Sequence, residues 1–274
     1  MIQNGEDVEG EVEELYDAAS MVFAELYGAD LHFGYWDDSV SDLPTAAARM
    51  TQRLIESSVV APGQHVLDLG CGTGTPALRL AQARGVRVTG VSISRHEVDR
   101  ANESSRRRKM THRVRFEHAD GMALPYADAS FDAAWAIECM SHMPDRAVAL
   151  GELARVVRPG GRVLIADGYL RGSQSSLGSS TMDAVCTAFR MGLPPTLPRY
   201  TDLLTDAGFS VVEQEDLSQH AARSMTCLAQ LMEARAAQLT DVFGEEALTR
   251  LSETLNGADP TETVGYVVLS AERR

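Results

Sequence analysis

The chain has 274 residues, 44% hydrophobic and 23% charged, enough for one large domain with a sizeable core. A formal net charge of -14, from 39 acidic and 25 basic residues, repels phosphate backbones and anionic lipid, which argues against nucleic-acid and membrane partners. No run approaches the roughly 18 uninterrupted apolar residues of a membrane span, the N-terminus is acidic where a signal peptide is basic, and the four cysteines, Cys71, Cys139, Cys186 and Cys227, form no C-x-x-C pair, a pattern that reads as reduced thiols in a cytoplasmic protein.

After a polar, acidic start, Val12, Leu15, Tyr16, Ala19, Val22, Phe23 and Leu26 recur at helical spacing and predict a helix from about Val8 to Leu26. The aromatic segment Leu31-His32-Phe33-Gly34-Tyr35-Trp36 follows, then a helix over Pro44 to Ser57 capped by Asp42 or Ser41. Short apolar runs predict strands at Val66–Leu69, Val86–Ser92, Val114–His118, Phe131–Ile137 and Arg162–Ala166. Between them fall a helix that Pro76 opens, helices at Arg95–Lys109 and Asp145–Val157, and a tight turn at Arg158-Pro159-Gly160-Gly161. The basic run Arg106-Arg107-Arg108-Lys109 reads as a solvated helix end.

Beyond Asp167 the regularity lapses. A Ser/Gly-rich stretch over 172–181, a cap helix over Thr181 to Arg190 and the proline cluster at 194–198 read as a cap over about 168–200. A helix at Tyr200–Ala207, a strand at Phe209–Leu217, mostly helix over Ala221–Leu255 and a last strand at Thr263–Leu269 complete the chain. Alternating strands and helices predict an α/β fold, a Rossmann-like doubly wound sheet. Composition is equally compatible with a monomer and a homo-oligomer.

Asp68-Leu69-Gly70-Cys71-Gly72-Thr73-Gly74 lies between a strand and a helix, as a nucleotide-binding turn requires. Gly70, Gly72 and Gly74 let backbone approach a ligand closely. Asp68 stands where it would repel a pyrophosphate but suit a cationic sulfonium cofactor carrying an ammonium group. The second strand ends Val91-Ser92-Ile93-Ser94 without an acid, so Glu97, one turn into the next helix, either reaches the ribose hydroxyls with help from Ser92 or is an exposed helical glutamate. After the third strand, Asp120-Gly121-Met122 offers an acceptor for the adenine amino group and, with Leu124, an apolar surface for the ring.

These motifs together resemble the class I S-adenosylmethionine-dependent methyltransferases, from Tyr16 to the final strand. LHFGYW, VLDLGCGTG, VSIS, FDAAWAIECMSHMPD and RPGGRVLIAD are similar, more narrowly, to the sugar and natural-product O-methyltransferases of the rebeccamycin type. The resemblance implies S-adenosylmethionine as cofactor, a small-molecule acceptor and a seven-stranded sheet whose last strand is antiparallel. It also implies an N-terminal helical lid over residues 1–60 on a methyltransferase domain over 61–274, with Tyr16 and Tyr35 near the methionine moiety.

An aliphatic hydroxyl gains from a general base, and His142 follows the fourth strand at the carboxyl edge, where substrates of open parallel sheets bind. Asp167 ends the fifth strand over the same crevice, and Glu138 could orient substrate or stabilise positive charge. In the resembled family both the His142 and Asp167 positions are functional, but relatives carry two consecutive histidines where this chain has Ser141-His142. Three other activities stay open: carbon methylation of an isoprenoid- or indole-type substrate, a cyclase that keeps the cofactor structurally, and a cofactor-sensing module. His32 reads as a structural group, and no cluster has metal-ligand spacing.

Overall fold

The computed structural model describes residues 30, 32–171, 186–187, 189–246, 248–249 and 263–274. The expected helix from Val8 to Leu26, with Tyr16, lies outside these residues, as do the stretch over 172–181 and most of the expected cap helix over Thr181 to Arg190.

Helix α1 (Leu43–Ser57) starts where Asp42 Oδ1 accepts the Thr45 N–H at 2.9 Å, with proline in its first turn. Its Ala46, Met50, Leu54 and Ile55 recur at helical spacing and are buried. Met50, Leu54 and Ile55 enter one core layer with Val66, Leu78 and Trp135. The indole N–H of Trp135 donates to Ser58 Oγ just beyond the helix, at 2.9 Å.

Then come β1 (His65–Leu69), α2 (Thr75–Arg84), β2 (Arg87–Ser92), α3 (Arg95–Arg107), β3 (Val114–His118), β4 (Phe131–Ile137), a 3-10 turn (Met140–His142), α4 (Arg146–Val156), β5 (Val157–Leu170), α5 (Leu197–Asp206), β6 (Phe209–Asp216), α6 (Ser218–Ala234), α7 (Ala236–Phe243) and β7 (Val264–Arg273). They form one seven-stranded sheet in the order β3-β2-β1-β4-β5-β7-β6. β1 through β5 pair in parallel, and β7 runs antiparallel between β5 and β6. The Rossmann-like doubly wound sheet with an antiparallel last strand is thus as expected.

Two elements differ from the expectation. Arg158–Gly161 is not a turn between elements but an irregular stretch inside β5. Phe131 faces Val157 while Ala133 faces Arg162, so the register shifts around the Pro-Gly-Gly run and pairing resumes beyond it. The proline cluster overlaps a helix start: α5 opens at Leu197 with Pro198 in its first turn, where a missing N–H costs nothing. Among the described residues, no helix is long and apolar enough to cross a membrane.

Candidate active site

The carboxyl ends of β1 to β4 open onto one cavity, whose wall includes Gly70, Gly72, Ser92, Glu97, Asp120 and Glu138. Gly121, Met122, His142 and Met143 also line it. Residues distant in sequence meet here because parallel strands of similar length bring all their carboxyl ends to one edge.

The glycines of the loop do different work. A Cβ on Gly70 would stand 2.3 Å from the Cys139 Cβ, so Gly70 allows the loop to pack on the end of β4. Among the described residues, a Cβ on Gly72 would meet nothing nearer than Glu97 Oε1 at 3.9 Å, and its φ is +51°. Packing therefore does not require glycine at position 72; the backbone conformation and the open space in front of it do. The Cys71 thiol is buried and its pKa lies well above the ordinary value, chiefly through burial, so this residue offers the site its backbone and not a thiolate.

Asp68 is 2% exposed, and its Oδ2 has no hydrogen-bond partner among the described residues. Burial pushes its pKa up to about 7. A carboxylate oxygen buried unpaired beside a nucleotide-type loop is an unmet demand for a cation or donor. Together with the open face of Gly72, it fits a cofactor bearing an ammonium and a sulfonium.

The uncertainty over Glu97 is resolved by its burial. Ser94 caps α3, accepting the Glu97 N–H at 3.1 Å, and the Glu97 side chain turns inward to accept the Ser92 hydroxyl at 2.7 Å. Glu97 is 6% exposed, so the reading as an exposed helical glutamate is set aside. Asp120 Oδ1 accepts the Met122 N–H at 2.8 Å, which fixes the turn that puts both residues on the cavity wall.

Glu138 ends β4 with φ +48°, a left-handed conformation that costs a non-glycine residue about 1–2 kcal/mol. Its N–H donates to Ala166 O, and its Oε1 accepts the Phe33 N–H and the Tyr266 hydroxyl, each at 2.8 Å. Burial raises its pKa to about 8 against both hydrogen bonds. Asp167 is 4% exposed; Gly168 N–H at 2.8 Å and the Tyr200 hydroxyl at 3.0 Å donate to it. Burial still carries its pKa up to about 6. His142 is on the cavity wall, its pKa lowered to about 4 by burial and by the charge of Arg146.

Five of the expected site residues do not line the cavity wall: Asp68, Cys71 and Gly74 of the loop, Tyr35 and Asp167. His142 and Asp167 make no hydrogen bond or ion pair with each other; the Asp167 carboxylate accepts from Tyr200 and Gly168 instead. The Tyr35 ring stacks on His220 at 4.1 Å, with its hydroxyl 3.2 Å from His220 Nε2. His32 is structural, as expected. It is buried, with Nε2 2.8 Å from Thr51 Oγ1 and Nδ1 2.9 Å from Phe33 O. Phe33, Tyr266 and Tyr200, the partners of the two carboxylates, were not singled out from the sequence as site residues. Their only signal was polarity or ring type at a strand end, which many core residues share. Among the described residues, no group of three or more His, Cys, Asp or Glu is arranged to hold a metal ion.

Three buried carboxyls with raised pKa make stability depend on pH before any cofactor binds. Each binds its proton more tightly in the folded state, so each contribution is complete below the ordinary carboxyl range and is lost as pH rises through about 6 for Asp167, 7 for Asp68 and 8 for Glu138. Asp68→Asn removes one of these charges. Without cofactor, thermal denaturation at pH 8 is expected to show this variant melting on the order of a few degrees higher than the parent. S-adenosylhomocysteine should then stabilise it less than it does the parent; an unchanged melting temperature with full ligand stabilisation would remove Asp68 from the site.

A model of a methyltransferase domain matches residues 67–165. The chain is 37% identical over 258 residues to the 27-O-demethylrifamycin SV methyltransferase of Amycolatopsis mediterranei, covering 94% of this chain and 95% of the relative. It is 36% identical to methyltransferase GfsG of Streptomyces halstedii, covering 95% and 93%. Among solved structures, the [4+2]-cyclase SpnF superposes with a TM-score of 0.83 at 29% identity, covering 96% of this chain and 94% of that one.

Proposed function

The chain belongs to the class I S-adenosylmethionine-dependent methyltransferases, and we propose that it methylates a hydroxyl of a small natural product, with His142 removing the proton. The observation that carries this reading is a buried histidine, neutral at physiological pH, on the wall of the cavity that the cofactor loop opens into. The relatives are consistent with it: one is named a methyltransferase of 27-O-demethylrifamycin SV.

S-adenosylmethionine supplies a methyl group already activated on sulfur. In this reading Asp68 and the Gly70–Gly74 backbone hold its amino-acid end, and Glu97 with Ser92 holds the ribose. Asp120 accepts the adenine amino group, and Met122 packs on the ring. Glu138, whose proton leaves easily once a cation lies beside it, compensates the sulfonium charge. The cap over about 168–200 and the lid over residues 1–60 exclude water and select the acceptor.

A neutral hydroxyl attacking in line becomes strongly acidic as its bond to the methyl group forms. A base of low pKa can therefore take the proton late in the step, and a desolvated neutral imidazole meets that need. Asp167 is not hydrogen-bonded to His142; held by Tyr200 and Gly168, it acts as a fixed negative charge behind the acceptor.

Incubation with S-adenosylmethionine and a panel of hydroxylated polyketides, 27-O-demethylrifamycin SV among them, followed by mass spectrometry, tests the reading. An acceptor is expected to gain one methyl group. Consumption of a polyene member of the panel with no change in mass would favour a cyclase, the activity for which SpnF is named.

A further inference from the structure

Arg146 belongs to none of the motifs above, yet it joins two parts of the site. Its Nε donates to the carbonyl of Met140 at 3.0 Å, in the 3-10 turn that carries His142. Its Nη2 donates to the carbonyl of Gly192 at 2.9 Å, on the segment that returns from the cap to α5. Gly192 N–H in turn donates to Ser141 O at 2.8 Å. A Cβ on Gly192 would stand 3.2 Å from Nη2 and 3.6 Å from Nη1, so a side chain there would press on the bridge. Further along the same segment, Leu170 N–H donates to Pro195 O at 2.9 Å, and the Tyr200 hydroxyl reaches Asp167.

We propose that Arg146 is a positioning residue that clamps the segment 189–196 onto the turn carrying His142, so that this segment and the proton-accepting histidine move as one unit. The planar fork of arginine allows this: two N–H groups leave it in fixed directions toward two carbonyls on different segments. Lysine, a single point charge on a flexible stem, cannot hold both in one geometry. The inference rests on the reading of His142 as the base, but its geometry does not. Among the charged side chains of the described residues, Arg146 is the one that weighs on the His142 imidazole.

The test needs no acceptor and uses the full chain saturated with S-adenosylhomocysteine. Hydrogen exchange is followed for peptides covering 190–196 and 67–74 in the parent, Arg146→Gln, Arg146→Lys and Gly192→Ala. Loss of the clamp should speed exchange over 190–196 by about tenfold in Arg146→Gln, with Arg146→Lys closer to Gln than to the parent, while 67–74 keeps its protection. Gly192→Ala, which disturbs the bridge from the other side, should shift the same peptide in the same direction. A readout that plain structural loosening would not move is the NMR titration of the His142 ring, which should shift upward in Arg146→Gln as the neighbouring cation is removed. Unchanged exchange over 190–196, equal acceleration of both peptides, or an unshifted His142 titration would each overturn the proposal. Failure of the base reading would show instead as full turnover in His142→Ala, which leaves the exchange result intact.

Discussion

Replacing His142 by alanine should lower turnover by about a hundredfold or more while leaving S-adenosylhomocysteine affinity within about twofold of the parent. The separation follows from position. His142 is on the cavity wall beyond the end of β4, whereas the loop, Ser92 and Glu97 come from the ends of β1 and β2. The parent's pH profile adds a second expectation. With its pKa near 4, His142 is unprotonated throughout the physiological range, so activity should not fall as pH passes through the ordinary histidine value of 6.5 on its account. An acid limb near 6 would belong to Asp167 and should disappear in Asp167→Asn. If His142→Ala turns over at the parental rate, the acceptor loses its proton to water or to another group, and His142 is a packing residue.

The second large effect is expected at Gly72. Its φ of +51° is a conformation that β-branched residues almost never adopt, and among the described residues the space its Cβ would enter is bounded by Glu97 Oε1 at 3.9 Å. Gly72→Val should therefore reduce S-adenosylhomocysteine affinity about a hundredfold, through backbone strain of about 1–2 kcal/mol and intrusion into the cofactor's place. Gly70→Ala is the contrasting control. There the added carbon meets Cys139 at 2.3 Å, so the expected damage is to folding, read as a lower melting temperature even without ligand. Calorimetric binding and thermal denaturation of both variants check the distinction. Parental affinity in Gly72→Val would mean that the cofactor does not approach this peptide.

Much of the fold could be read from short β-branched runs, because a strand covered on both faces must be apolar along its length. Val66–Leu69 and Phe131–Ile137 are such runs, and the structure extends the first only to His65. β7 was harder. Its last residues, Glu272 and Arg273, are charged, yet they pair with Arg162 and Phe209, and Glu272 forms an ion pair with Arg162 at 3.0 Å. No local pattern announces a strand whose polar end is balanced by a partner far away in sequence. The same holds in the site. The glycine loop and Glu97 were visible because their roles depend on local spacing. The ties from Phe33 and Tyr266 to Glu138, from Tyr200 to Asp167 and from Arg146 to Gly192 cross 33 to 128 positions, and only the fold creates them.

Methyl transfer to oxygen is tested most directly by following the label itself. S-adenosylmethionine carrying a carbon-13 methyl group is supplied with the acceptor that the mass screen identifies, and the product is examined by NMR. The account predicts one labelled methyl resonance in the methoxy region, coupled to the carbon that bore the hydroxyl. A labelled methyl bonded to carbon, or product formed without label, would contradict it.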